Sequence, residues 1–139
     1  MKLRWLPLCS ALLASSVLAK PFQPILEVAE QFDDTRVVAF INENDIRDYP
    51  VWEDRDSAPP FSISDAIHSI EAAYRADHRR LDPAAIEEIE LRKVRGHEKY
   101  WHYLVKVHDA SRGVEHYAVY VVLMNGKVIP AVVEPEPFK

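Results

Sequence analysis

YWHYLVKV at residues 100–107 and YAVYVVL at residues 117–123 decide the fold, because each alternates between two sets of side chains. A period of two is the signature of a strand, whose successive side chains point to opposite faces of a sheet. In the first stretch Trp101, Tyr103, Val105 and Val107 alternate with Tyr100, His102, Leu104 and Lys106; in the second Tyr117, Val119, Val121 and Leu123 alternate with Ala118, Tyr120 and Val122. The spacing predicts two antiparallel strands joined around Ser111-Arg112-Gly113. The odd-numbered set is the more uniformly apolar, so it is expected to face the core.

Outward from this hairpin, Asn125-Gly126 is a strong turn signal, and residues 127–133 read as a fourth strand in which Pro130 argues for a sheet edge. On the other side, Ile89 and Leu91 alternate with Glu88, Glu90 and Arg92, giving a strand that ends near Gly96. Before it, Ser62 with Asp65 three residues on has the form of a capping box, and Phe61 could staple onto Ala66. Ile63, Ala66, Ile67, Ile70, Ala73, Tyr74 and Leu81 then recur at helical spacing and predict the buried face of a helix stopped by Asp82-Pro83. Arg75, His78, Arg79 and Arg80 crowd its carboxyl end, where cations meet the negative end of the helix dipole.

Residues 21–60 carry dense turn punctuation. Ile25, Val28, Ala29 and Phe32 stand at the spacing of a short helix, Val37 to Ile41 reads as a strand, and residues 48–60 read as an extended connection. The expected fold class is therefore α+β, one main helix packed on a four-stranded antiparallel sheet. Its bounds are residues 61–134, with an amino-terminal extension over 20–60 that is partly irregular and a loose tail over 135–139.

Residues 1–19 read as a signal peptide: Lys2 and Arg4, an apolar run from Trp5 to Leu18, and a small-residue exit at Ala19. The run is shorter than the roughly 20 residues that span a bilayer, so no stable membrane span is expected. Cleavage near Ala19 would deliver the chain to the periplasm or outside the cell. It would also remove Cys9, the only cysteine, and take Lys2 and Arg4 from the 17 basic residues, leaving 15 against 22 acidic and a net charge of −7. About 120 residues suffice for one core without disulfides. The negative balance argues against nucleic acid as a partner.

Chemistry-bearing motifs are sparse. With three glycines in the chain, neither a nucleophile elbow nor a phosphate-cradling loop assembles from local sequence. His97-Glu98 followed by His102 has one residue too many for a zincin helix and puts the histidines on opposite faces of a strand. His108 and His116 are weak metal candidates, since both belong to the same non-core side of the hairpin. No cofactor is implied.

The order helix, Ile86 to Leu91, Tyr100 to Val107, Tyr117 to Leu123 and Asn125-Gly126-Lys127-Val128 resembles a PepSY-like domain, over a little over half of the mature chain. It is similar as well to cystatin-like domains, in which a sheet wraps a helix. PepSY-like domains are exported or membrane-attached, and some restrain peptidases, so the resemblance implies a non-enzymatic, protein-binding role and brings no catalytic residues.

The face expected to do the binding is the even-numbered one. Tyr100, His102, Leu104, Ala118, Tyr120 and Val122 make it more apolar and aromatic than a wetted sheet face needs, and Trp52 stands in a Pro-flanked loop able to join it. Its expected cover is a protein partner, a second copy in a homodimer, or the chain's own residues 22–52. The competing readings are a small enzyme with a pocket between helix and sheet, using His102 or His116 as base, and a self-associating structural protein.

Overall fold

The computed structural model describes residues 25–32, 35–53, 55, 58–109 and 117–135. In chain order these form β1 (Ile25–Phe32), β2 (Thr35–Ile41), α1 (Ile63–Ala76), β3 (Ile86–Val94), β4 (His97–His108), β5 (Tyr117–Leu123), β6 (Val128–Pro130) and β7 (Val132–Pro135). The fold is α+β, with one helix on a four-stranded antiparallel sheet of order β3-β4-β5-β6. A second sheet, of order β1-β2-β7, accompanies it. The signal-peptide segment, the histidine at 116 and the tail beyond 135 lie outside the described residues.

The start of α1 follows from its capping box. Ser62 Oγ accepts the Asp65 N–H at 3.0 Å, and the Asp65 carboxylate accepts from both Ser62 N–H and Oγ. The helix stops earlier than Asp82-Pro83. After Ala76 the chain passes through His78 at φ 57, Arg79 N–H reaches back to Tyr74 O at 2.8 Å, and His78 N–H to Arg75 O at 3.0 Å. This is a left-handed helix terminus of the Schellman type, built on histidine where glycine is usual. Asp82 instead caps the short 3-10 turn Pro83–Ala85, and Arg79, beyond the helix, bonds Asp109.

The Asn125-Gly126 turn is also real, but only Gly126, at φ 85, has left-handed backbone. Gly126 N–H bonds Leu123 O and Leu123 N–H bonds Lys127 O, which is a three-residue loop ending in a glycine bulge. A β-carbon at Gly126 would stand 3.3 Å from the Phe61 ring, so the bareness of this turn lets the entrance of α1 lie against it.

Residues 25–32 are a strand, not the short helix that the spacing of Ile25, Val28, Ala29 and Phe32 suggests. The register with β2 shifts between Val28 and Glu30. Such an irregularity breaks the period of two and leaves spacings of three and four that mimic a helix.

The register of the central hairpin fixes what each face meets. His108 lies opposite Tyr117, Val105 opposite Tyr120 and Tyr103 opposite Val122, so each odd-numbered residue of β4 shares a face with an even-numbered residue of β5. The helix side is marked by Tyr120, whose ring lies 5.8 Å from that of Tyr74 on α1, and by Tyr103, whose hydroxyl donates to Phe61 O at 2.7 Å. The other side carries His102, Leu104, Val119, Val121 and Leu123, all buried. The expectation that the odd-numbered set of β5 faces the helix is therefore overturned. Both faces of this sheet are covered, so polarity alone does not say which one meets α1.

The cover on the second face is the chain's own amino-terminal part. β2 runs beside β5 and β6, and its Ala39 and Ile41 join the same core as Val121 and Leu123. β6 and β7 are nearly one strand that changes sheets at Ala131, whose N–H bonds Val119 O at 2.8 Å; Pro130 sits at that crossing. From β2 the chain then rounds the sheet end. Asp45 is buried, accepts from Asn42 N–H at 2.8 Å and pairs with Lys127, while its carbonyl accepts from Asn125 Nδ2.

Burial alone would raise the Asp45 carboxyl, but the hydrogen bonds from Lys127 and Asn42 outweigh it and hold the group below its ordinary value. A depressed folded pKa contributes stability above the unfolded value, and that contribution is lost as pH falls through the folded one. Asp45→Asn is therefore expected to cost about 1–3 kcal/mol near neutrality. The gap to the unsubstituted chain should narrow below about pH 4, as urea unfolding from pH 6 to pH 2 would show. A gap that is constant across that range refutes the role given to the carboxylate.

Candidate functional site

Where the structure places the even-numbered residues decides against one shared docking face. His102 is fully buried and Leu104 nearly so on the side away from α1; Ala118 and Val122 are buried on the helix side, where half-buried Tyr120 meets Tyr74. Tyr100 is half-buried, with its ring 5.1 Å from Tyr49 and stacked 5.5 Å from His97. Trp52 packs edge-on against Trp101 at 5.0 Å and accepts its indole N–H at 3.0 Å. These residues are mostly interior packing split between two faces. Buried on the sheet side away from α1, His102 cannot act as a base between helix and sheet. His108 lies edge-on to Tyr117, and its suggested metal-binding companion at 116 is outside the described residues.

An open surface lies at the sheet's other margin. β3 is the first strand of the order β3-β4-β5-β6, and among the described residues no strand pairs with its outer edge. Beside that edge runs a groove of about 430 Å³ between the start of α1 and β3, lined by Ala58, Pro59, Ser62, Ile63, Ser64, Ile89, Leu91 and Tyr103. Ile63 is 53% exposed, because as the first helical residue it overhangs the groove instead of joining the interior with Ala66 and Ile70. Ile89 and Leu91 lie opposite Val105 and Tyr103, which puts them on the helix side of the sheet.

Elementary chemistry limits what this groove does. Its walls are aliphatic and aromatic, with serine and the Tyr103 phenol as the polar lining groups, and Tyr103 already donates to Phe61 O. Burial, with a smaller push from Asp65, raises the Tyr103 phenol above its ordinary value, so it is neutral at physiological pH. What the site offers is apolar surface next to a strand edge that no described strand pairs with, the two things an extended polypeptide uses.

Charge on β3 is segregated. Glu87, Glu88 and Glu90 occupy its first half, Arg92 and Lys93 its second, and Arg95 follows in the turn. Within the strand Arg92 pairs with Glu90 at 2.6 Å, and Lys93 lies 5.0 Å from the Trp101 ring. The sequence pattern missed Ile63 as a surface residue, since its spacing matches the core face of α1. The charge order of β3 was visible in the sequence, but it acquires meaning only with the strand at an edge.

A second cleft, of about 340 Å³, lies at the far end of α1 among Tyr74, Arg79, Leu81, Val107, His108 and Asp109. Its Arg79 bonds the buried Asp109 carboxylate at 2.8 Å and lies 4.7 Å from the Tyr74 ring, so the cation is spent on closing the fold there. A hydrogen bond from Arg79 to Asp109 raises the guanidinium further above its ordinary value.

Comparison with protein-family models, with curated proteins and with solved structures found no match to this chain. Among the described residues no helix is long and apolar enough to cross a membrane.

Proposed function

We propose that the protein is a non-enzymatic, polypeptide-binding module that works outside the cytoplasm and holds an extended apolar segment along the outer edge of β3. The observation that carries this reading is the pairing of an open strand edge with the apolar groove of Ile63, Ile89 and Leu91. A strand added there would gain main-chain hydrogen bonds from β3 and place every second side chain in the groove. The signal-like first 19 residues and the resemblance to PepSY-like domains support the location and the absence of a catalytic task. A peptidase restrained through an extended segment is one partner of the required chemistry.

Fluorescence anisotropy of labelled, extended peptides that alternate apolar and polar residues tests the proposal. Binding is expected, and Ile63→Asp should weaken it at least about tenfold, since a buried aliphatic side chain carries about 1.5–3 kcal/mol. Ile63 is half exposed, so the variant keeps the fold, which circular dichroism verifies. Equal affinity in the variant, or no binding by the unsubstituted chain at concentrations where it is monomeric, overturns the reading.

A further inference from the structure

We infer that the segment seated on β3 is β3 of a second copy, so that the protein forms a two-fold dimer with one continuous eight-stranded sheet. This rests on the β3 edge being the binding site, and it names the occupant. Edge strands are commonly protected by charges that repel or hydrate, yet here the signs are sorted along the strand, Glu87, Glu88 and Glu90 before Arg92, Lys93 and Arg95. Antiparallel pairing of two identical strands sets the acidic half of each against the basic half of the other, so the edge is complementary to itself. A closed two-fold contact requires that property.

The same charges select the register. With the axis at Glu90, two carboxylates would oppose each other, which is unfavourable. With the axis at Leu91, Glu90 of each copy faces Arg92 of the other, and Ile89 faces Lys93, whose aliphatic stem can lie over it while the ammonium stays wet. Leu91 then meets its own symmetry mate. Because Ile89 and Leu91 are on the helix side of the sheet, this register also joins the two grooves and brings both exposed Ile63 side chains to one apolar seam.

The unsubstituted chain is expected to have twice its monomer mass in sedimentation equilibrium, with the dimer weakened by salt because part of the contact is ionic. Glu90→Arg and Arg92→Glu should each give monomers, since like charges then face each other. An equimolar mixture of the two variants should recover the dimer, because the arginines of one chain meet the glutamates of the other. A register test independent of those variants uses Leu91→Cys in a Cys9→Ser background. Paired residues at the axis lie about 4.5–5.5 Å apart, within disulfide reach, so oxidation should link two chains, whereas Val132→Cys should not link them.

A monomeric mass at every concentration, no recovery on mixing, or no selective Leu91→Cys linkage overturns the inference. Its failure is distinguishable from failure of the binding reading. A monomer that still takes extended peptides with sensitivity to Ile63→Asp removes the second copy alone, while a monomer that takes none removes both.

Discussion

Tyr103→Ala is expected to lower unfolding free energy by about 3–5 kcal/mol, the range for deleting a buried aromatic side chain. Tyr103 is 1% exposed, the largest of the fully buried side chains among the described residues, and lies between the middle of β4 and the entrance of α1. Its hydroxyl bonds Phe61 O at 2.7 Å, one residue before the Ser62 cap. Tyr103→Phe should therefore cost much less, about 0.5–1.5 kcal/mol for one hydrogen bond. Both variants are read by urea unfolding monitored by circular dichroism. Similar costs for the two would mean that the phenol bond, not ring packing, fixes α1 on the sheet. Because Tyr103 also floors the groove, Tyr103→Ala should weaken peptide binding beyond what instability explains, whereas Tyr103→Phe should leave it unchanged.

What the sequence revealed and what it concealed have separate physical origins. The start of α1 was legible because capping is local: Ser62 and Asp65 satisfy each other within one turn. The hairpin was legible because alternation survives wherever a strand is half or wholly buried. Which alternate set of β5 meets the helix was not legible, since both sets are largely apolar and the second face is itself covered by β2 and its sheet. The end of α1 was hidden by His78, which takes a backbone conformation that composition attributes to glycine. β1 was hidden by its register shift. The four-stranded sheet could be read from residues 86–130, whereas the second sheet pairs β2 with residues 132–135 at the opposite end of the chain, a long-range contact with no local signature.

The site was concealed for a related reason. Alternation identifies aromatic residues such as Tyr100, His102 and Tyr120, and a face rich in them looks like a docking surface when the cover is unknown. With the cover in place, those side chains are core or lining, and the apolar groove lies at the margin, where Ile63 is half exposed and Ile89 and Leu91 are partly buried. An edge strand is recognised by what fails to pair with it, and a sequence read element by element does not contain that information.

The amino-terminal segment should behave as core in solution, and Tyr49 is where this is most visible. Its hydroxyl donates to Trp101 O on β4 and accepts Met124 N–H after β5 at 2.7 Å, while its ring meets Tyr100 at 5.1 Å. Tyr49→Ala is expected to cost about 3–5 kcal/mol, as much as removing an aromatic from the centre. Tyr49→Phe should cost about 1–3 kcal/mol, because the buried Met124 N–H is left without its acceptor. Burial pushes the Tyr49 phenol up to about 12, against the opposing pull of the Met124 N–H. A raised pKa on an acid that folds neutral gives stability that is complete below its ordinary value, near 10, and that disappears as pH rises through the folded value. The advantage of the unsubstituted chain over Tyr49→Phe should accordingly hold to about pH 10 and shrink toward pH 12, measured by urea unfolding at intervals between. A constant advantage across that window would place the phenol in water. A Tyr49→Ala cost below about 1 kcal/mol, the size of a surface substitution, would reduce residues 36–52 to an appendage and leave the second face of the sheet without its cover.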